Sequence, residues 1–221
     1  MALSLPRKEL FHLPEGVIYL DGNSLGPMPK GAAERASEVI QDEWGRELIR
    51  AWNTANWMAL PQKVGDRIGR LIGAAEGSVA TGDTLSIKVY QALAAALMMR
   101  PDRRVILSDN GNFPSDLYMA QGLIDTIGKD HELRTPTPGN VANAITHEVA
   151  VVMLTHVDYR SGRMHDMAEI TARAQAAGAV MIWDLAHSAG AVPIDLAASN
   201  TEFAVGCTYK YLNGGPGAPA F

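Results

Sequence analysis

The stretch VAVVMLTHV, residues 149–157, opens with six apolar residues in a row and no polar alternation. A strand with one wet face alternates, whereas a strand covered on both faces need not. The segment therefore predicts an inner strand of a mostly parallel sheet. AVMIWD (179–184) has the same character, VILS (105–108) is a shorter version, and FAVGCTYK (203–210) reads as a further short strand or strand end. Helical patterns separate them. TGDTLSIKVYQALAAALMM starts with turn and cap residues and becomes a buried helix; SDLYMAQGLIDTIG and HDMAEITARAQAAG follow. Such alternation predicts an α/β fold, a mostly parallel sheet covered by helices.

Upstream, GVIYLDGNSL (16–25) predicts a short strand before an Asp-Gly-Asn turn. KGAAERASEVIQDEWGRELI predicts a long surface helix over residues 30–50, and ALPQKVGDRIGRLIG a second over 59–73, with Pro61 in its first turn. Residues 1–50 are expected to form a segment packing on the large domain that 51–221 begins. No repeat or low-complexity tract interrupts the chain.

Composition narrows the function classes. With 47% apolar and 19% charged residues the chain is an ordinary globular one, not a disordered one. A net charge of -5, with scattered Lys and Arg, gives no basic surface for nucleic acid. The single cysteine, Cys207, excludes an intrachain disulfide framework and Cys-rich metal centres, and its apolar surroundings suggest a small buried hydrophobe. No run approaches the ~18–20 apolar residues that span a bilayer; ALAAALMM (92–99) is too short. MALSLPRKELFHLPEG is too charged for a secretory leader, so no membrane association and a cytoplasmic location are expected. The closing GGPGAPAF follows directly on the richest motif and reads as the end of a truncated chain.

On covered parallel sheets ligands bind beyond the carboxyl ends of the strands. There, WDLAHSAG offers Asp184, a carboxylate able to pair a cationic nitrogen, and His187, able to donate to an oxyanion or stack on a ring. A helix-capping Asp and a loop His are the plainer alternative. THVDYRSG contributes His156, Asp158 and Arg160, which strict alternation does not point in one direction. A metal set built from His156, Asp158, His165 and His187 lacks a recognisable ligand pattern, and no metal is expected.

Lys210 stands among aromatics in CTYKYLNGGPG, just before a glycine-rich turn. Partial desolvation there favours the neutral amine that imine formation needs; a snorkelling lysine is the competing reading. TGDTLS (81–86) precedes a helix and suits either a phosphate cradle or an ordinary N-cap. It is not a Walker A loop, and no G-x-G-x-x-G opens a helix, which disfavours NAD and FAD. FPSDLY (113–118) supplies Phe113 and Asp116, as a ring cover or as core. A planar aromatic aldehyde with a phosphate arm would use the phosphate loop, the flat cover, the carboxylate and the lysine together.

The segments FHLPEGVIYLDGNSLGPMPK, TGDTLS, NFPSDLY, THVDYRSG, WDLAHSAGA and CTYKYLNGGPG resemble the kynureninase family across essentially all 221 residues. DLAHSAG with a later lysine is shared loosely with other fold-type I pyridoxal-phosphate enzymes; YLDGNSLGP with NFPSDLY and YKYLNGGPG is more specific. The resemblance implies a fold-type I PLP-dependent transferase-like large domain whose C-terminal part is missing. It implies pyridoxal 5'-phosphate as cofactor, a homodimer with sites at the subunit interface, and hydrolysis of L-kynurenine, or its 3-hydroxy form, to anthranilate or 3-hydroxyanthranilate and L-alanine. By the same resemblance Lys210 carries the cofactor as an imine and later transfers protons, with Tyr209 contacting the phosphate and helping. Asp184 pairs the pyridinium nitrogen, His187 assists, Phe113 stacks on the ring, Asp116 is a further cofactor-side aspartate, and Leu85 and Ser86 hold the phosphate, with Thr84 a close rival. The family's substrate-carboxylate arginine has no counterpart here. Another PLP-dependent lyase or desulfurase, and an inactive truncated fragment, are the alternatives.

Overall fold

The computed structural model describes residues 7–128 and 130–221. The leader-peptide reading falls partly on residues 1–6, outside the described residues.

Two short strands, β1 (Phe11–His12) and β2 (Met28–Pro29), pair antiparallel. The main sheet holds β3 (Val105–Leu107), β4 (Glu132–Arg134), β5 (Val149–Thr155), β6 (Val180–Asp184) and β7 (Phe203–Val205) in the order β4-β3-β5-β6-β7. Every neighbouring pair in it is parallel. The helices are α1 (Ala32–Glu38), α2 (Ala51–Thr54), α3 (Leu60–Ile72), α4 (Leu85–Met99), α5 (Pro114–Ile127), α6 (Val141–Ala144) and α7 (Met167–Ala176). Among the described residues no helix is long and apolar enough to cross a membrane.

The unbroken apolar runs have the cause expected of them. All of β5 and β6 is buried, and alternate residues serve opposite cores. Val149, Val152 and Leu154 join Met181 and Trp183 in one core with Ile68, Ile72 and Ile170. Val151, Met153 and Ile182 join the other with Val89, Leu93 and Leu123. Each fully buried side chain of this size contributes roughly 1.5–3 kcal/mol, so a charge at any of these strand positions would cost more than one strand pairing returns. Helix α4 meets the sheet through Val89, Ala92, Leu93, Ala96 and Leu97, the spacing of a single helical stripe. Helix α7 starts where the Asp166 side chain accepts from the Glu169 N–H at 2.9 Å.

The N-terminal region departs from the sequence reading. Residues 16–25 form no strand: Ile18 and Leu20 are 78% and 85% exposed, with no sheet edge beside them. Turn hydrogen bonds hold the segment instead, Leu25 N–H to Asp21 O at 3.1 Å and the Tyr19 hydroxyl to Leu25 O at 2.7 Å. The helix expected over 30–50 breaks up. After Glu38 it loosens into a π-helical turn (Val39–Trp44), and Leu48 takes a φ of 53° as it opens a short 3-10 turn (Leu48–Arg50). None of α1 or these turns is buried, so no packed face holds a long helix straight. The second helix agrees to within a residue of 59–73 at each end. The strand at 203–210 stops at Val205, because Gly206 exchanges hydrogen bonds with Phe221 instead. The edge strand β4 has the polar sequence ELR and escapes an apolar-run search.

Candidate active site

Because the five strands are parallel, their carboxyl ends share one edge. The chain runs from β3 outward to β4 and returns to β5 on the other side of β3. Loops after β3 and β5 thus diverge and leave a crevice, where such sheets bind ligands. Register sets Thr155 beside Asp184, and Asp184 beside Val205, so the next loops begin level with one another.

Lys210 enters this crevice from the segment after β7 and is only 6% exposed. Its Nζ lies 2.5 Å from His187 Nε2, 5.4 Å from the centre of the Phe113 ring and 5.8 Å from that of Tyr209. Burial, and then the charge of Lys210, pushes the His187 pKa down to about 4. His187 is therefore neutral near pH 7, and Nε2 accepts a hydrogen bond from the lysine amine. His187 Nδ1 is buried with no hydrogen-bond partner.

Two further rings gather at His187. Phe113 and Tyr159 meet edge to face at 5.1 Å, and each ring lies 6.0 Å from that of His187. Tyr159 was missed by sequence reasoning, although it sits between Asp158 and Arg160 in THVDYRSG. An aromatic at a strand's carboxyl end was the available signal. Phe113 is fixed by its position: it caps α5 in extended conformation, Pro114 follows it, and its N–H donates to Asn112 Oδ1 at 2.7 Å.

Two buried carboxyls lie near Lys210. Asp184 ends β6; its Oδ1 accepts from Ala186 N–H at 2.8 Å and its Oδ2 from the Thr155 hydroxyl at 3.2 Å. Asp116, in the first turn of α5, has no hydrogen-bond partner of ordinary geometry for either oxygen. Burial raises both acids, and Asp116 well above the carboxylate range, because Asp184 is the next largest influence on it. Asp184 keeps two donors and the nearby Lys210 charge, so it is the anion of the pair, and Asp116 carries the proton.

The structure brings Lys210, Tyr209, His187, Phe113, Asp184 and Asp116 together. Burial pushes the Tyr209 phenol up to about 12, with the neighbouring Cys207 adding to it. Leu85 and Ser86 open α4, and among the described residues no hydrogen bond joins them to Lys210. The loop before them is tied to the segment beyond Lys210 by Gly82 N–H to Ala220 O at 2.9 Å and Ala220 N–H to Asp83 O at 3.0 Å. The Thr84 side chain makes no capping bond to α4.

The polar residues of THVDYRSG diverge. His156 turns onto the Trp183 indole at 5.7 Å, and burial followed by the neighbouring His165 lowers its pKa to about 4. Asp158 turns back on its own loop, accepting from the N–H groups of Arg160 and Ser161. His165 pairs with buried Asp109 at 3.2 Å. Cys207 is 3% exposed and its thiol is pushed up by burial.

The chain closely matches kynureninases. That of Burkholderia pseudomallei (strain 1106a) is 58% identical over 98% of this chain, and that of Pseudomonas fluorescens 52% identical over the same share. The chain spans 53% of the length of each. Among solved structures, the apo cysteine desulfurase from Thermococcus onnurineus NA1 superposes with a TM-score of 0.77 at 20% identity, covering 99% of this chain and 57% of that one. A C-DES mutant with glycine covalently linked to the PLP cofactor gives 0.79 at 17% identity, covering 98% and 59%. At those identities the likeness establishes the fold-type I architecture alone. The aminotransferase class-V profile matches residues 55–218, and the chain belongs to the aminotransferase class-V family.

Proposed function

We propose that this chain is the lysine-bearing part of a kynureninase, a pyridoxal-phosphate enzyme that hydrolyses L-kynurenine, and its 3-hydroxy form, to anthranilate or 3-hydroxyanthranilate and L-alanine. The observation that carries the reading is a buried lysine facing a histidine and a phenylalanine ring, with the buried carboxyl of Asp184 near it, in a chain 58% identical to kynureninases. In this reading residues 1–50 pack on the large domain and the interface of a cytoplasmic homodimer, and 51–221 begin the cofactor-binding domain.

The residues present fit pyridoxal phosphate. Asp184 offers a buried anion for a protonated ring nitrogen, and the partnerless Nδ1 of His187 is polar capacity left for a ligand. Phe113 supplies a flat apolar face. The first-turn amides of α4 at Leu85 and Ser86, with the hydroxyls of Ser86 and Thr84, suit a phosphate. When bound, the cofactor supplies a conjugated ring that takes up the electron pair released at the substrate α-carbon. Lys210 would hold it and would move the α-proton. His187 accepts from the Lys210 amine and fixes its direction, Tyr209 stays protonated, and Asp184 would hold positive charge on the cofactor's ring nitrogen. Asp116, its acidity weakened by burial and by Asp184, would leave Asp184 as the partner of that nitrogen.

The desulfurase alternative asks for a mobile, accessible thiol. Cys207 is buried under the Ala186 carbonyl, with its thiol held protonated, and cannot serve.

The test is titration with pyridoxal phosphate, borohydride reduction and peptide mass mapping. An adduct confined to Lys210, lost in Lys210→Ala, is expected; a retained adduct on another lysine would overturn the assignment. Turnover of L-kynurenine then tests the substrate.

A further inference from the structure

Asn112, Thr155 and Asp184 come from the loop after β3, the end of β5 and the end of β6, and meet buried in the floor of the crevice. The Thr155 hydroxyl lies 3.2 Å from Asp184 Oδ2 and in closer hydrogen-bond contact with Asn112 Oδ1. It has one proton and faces two acceptors. Asn112 is itself fixed: its Oδ1 also accepts Phe113 N–H at 2.7 Å, and its Nδ2 donates to Ser108 Oγ at 2.9 Å. The hydroxyl therefore meets Asp184 from a set position. With Asp184 ionised its proton is drawn to the full negative charge, the stronger acceptor; with Asp184 protonated it turns to the amide.

We propose that Thr155, braced by Asn112, is a positioning residue that holds the Asp184 carboxylate in its ionised form and aims it into the crevice. This deepens the reading of Asp184 as the partner of a cationic ring nitrogen and rests on it. The other groups facing Asp184 are Asp116 from α5 and Cys207, Tyr209 and Lys210 from the segment after β7. Burial opposes ionisation of Asp184, while Lys210 and the protonated Asp116 favour it. Thr155 adds, from β5, a neutral donor that favours the anion whichever way those charges move.

The test is a carbon-13 carboxyl NMR titration of the aspartate-labelled 221-residue chain without cofactor, with Asp184→Asn identifying the resonance. Thr155→Val keeps the shape and suits a strand; it is expected to raise the proton affinity of Asp184 on the order of tenfold. Thr155→Ser, which restores the hydroxyl, is expected to stay within about twofold of the parent, since the same hydrogen bond is available. Thr155→Ala serves as a second hydroxyl-free variant should Val disturb the strand. An unchanged Asp184 titration in a folded hydroxyl-free variant would overturn the proposal. So would a shift in Thr155→Ser as large as that in Thr155→Val, which would mean packing and not the hydroxyl. Being read without cofactor, the titration stands apart from the Lys210 assignment, whose own failure would appear in the adduct experiment.

Discussion

Asp184 and Asp116 show how position, not residue type, divides two identical side chains. One receives an N–H and a hydroxyl and keeps its charge; the other receives neither and keeps its proton. Asp184→Asn removes the charge while preserving the shape. Under the proposed function it is expected to lower L-kynurenine turnover roughly 10²–10³-fold, the usual loss when one preorganised electrostatic group is removed, with a much smaller change in cofactor affinity. Near-normal turnover would remove its role. The buried histidines make a separate prediction. His187 and His156 are held near 4 when folded, against about 6.5 for an unperturbed histidine. A depressed folded pKa gives stability that is full above 6.5 and is lost as pH falls toward 4, because the unfolded chain takes up the extra protons. Urea midpoints measured from pH 7 down to 4 should fall, and His156→Gln should flatten part of that fall. Asp116 acts with the opposite sign, its contribution being lost as pH rises through its raised pKa.

At the scale of elements, the DGNSLG turn matters more than its lack of regular structure suggests. Gly26 N–H donates to Tyr209 O at 2.8 Å, and a Cβ there would overlap the Lys210 carbonyl oxygen. The Tyr211 ring covers Gly22 in the same way, at 3.1 Å from where its Cβ would stand. The turn is thus a backstop for the lysine segment. Gly26→Ala should destabilise by about 1–3 kcal/mol, as overpacking does, and should reduce cofactor adduct at Lys210. Gly122→Ala makes the contrast: it lies in α5 with open space around it and should stabilise by roughly 0.5–1 kcal/mol. Urea unfolding of both variants checks the pair. Equal behaviour of the two would mean that Gly26 is not tightly packed against Lys210.

For the whole molecule, the same N-terminal region carries much of the exposed apolar surface. Ile18, Leu20, Trp44, Leu48, Ile49 and Met58 are all more than half exposed, in a region with no packed face of its own. Large exposed apolar groups of this kind mark interaction surfaces. In the proposed homodimer a second copy covers them. Sedimentation velocity should show concentration-dependent self-association, weakened by Leu20→Ser combined with Ile49→Ser; a monomer at all concentrations would remove this role.

The central sheet was legible in the chain because burial on both faces removes polar alternation, and β5 and β6 follow that rule residue by residue. Lys210, Asp184 and Phe113 were legible as candidates because unusual polar or aromatic residues stood at strand ends. What the chain alone did not show was convergence. Thr155 reads as one more strand residue until the sheet register sets it beside Asp184, and Tyr159 reads as loop until its ring meets Phe113. The division of charge between Asp184 and Asp116 depends on donors from other segments, and so does the contact of Lys210 with His187. Nor did apolar residues at 16–25 make a strand, since a strand needs a partner edge and none lies beside them. Local pattern determines which segments can be buried; only tertiary packing decides which side chains meet once they are, because hydrogen bonds and desolvation act between groups far apart in sequence.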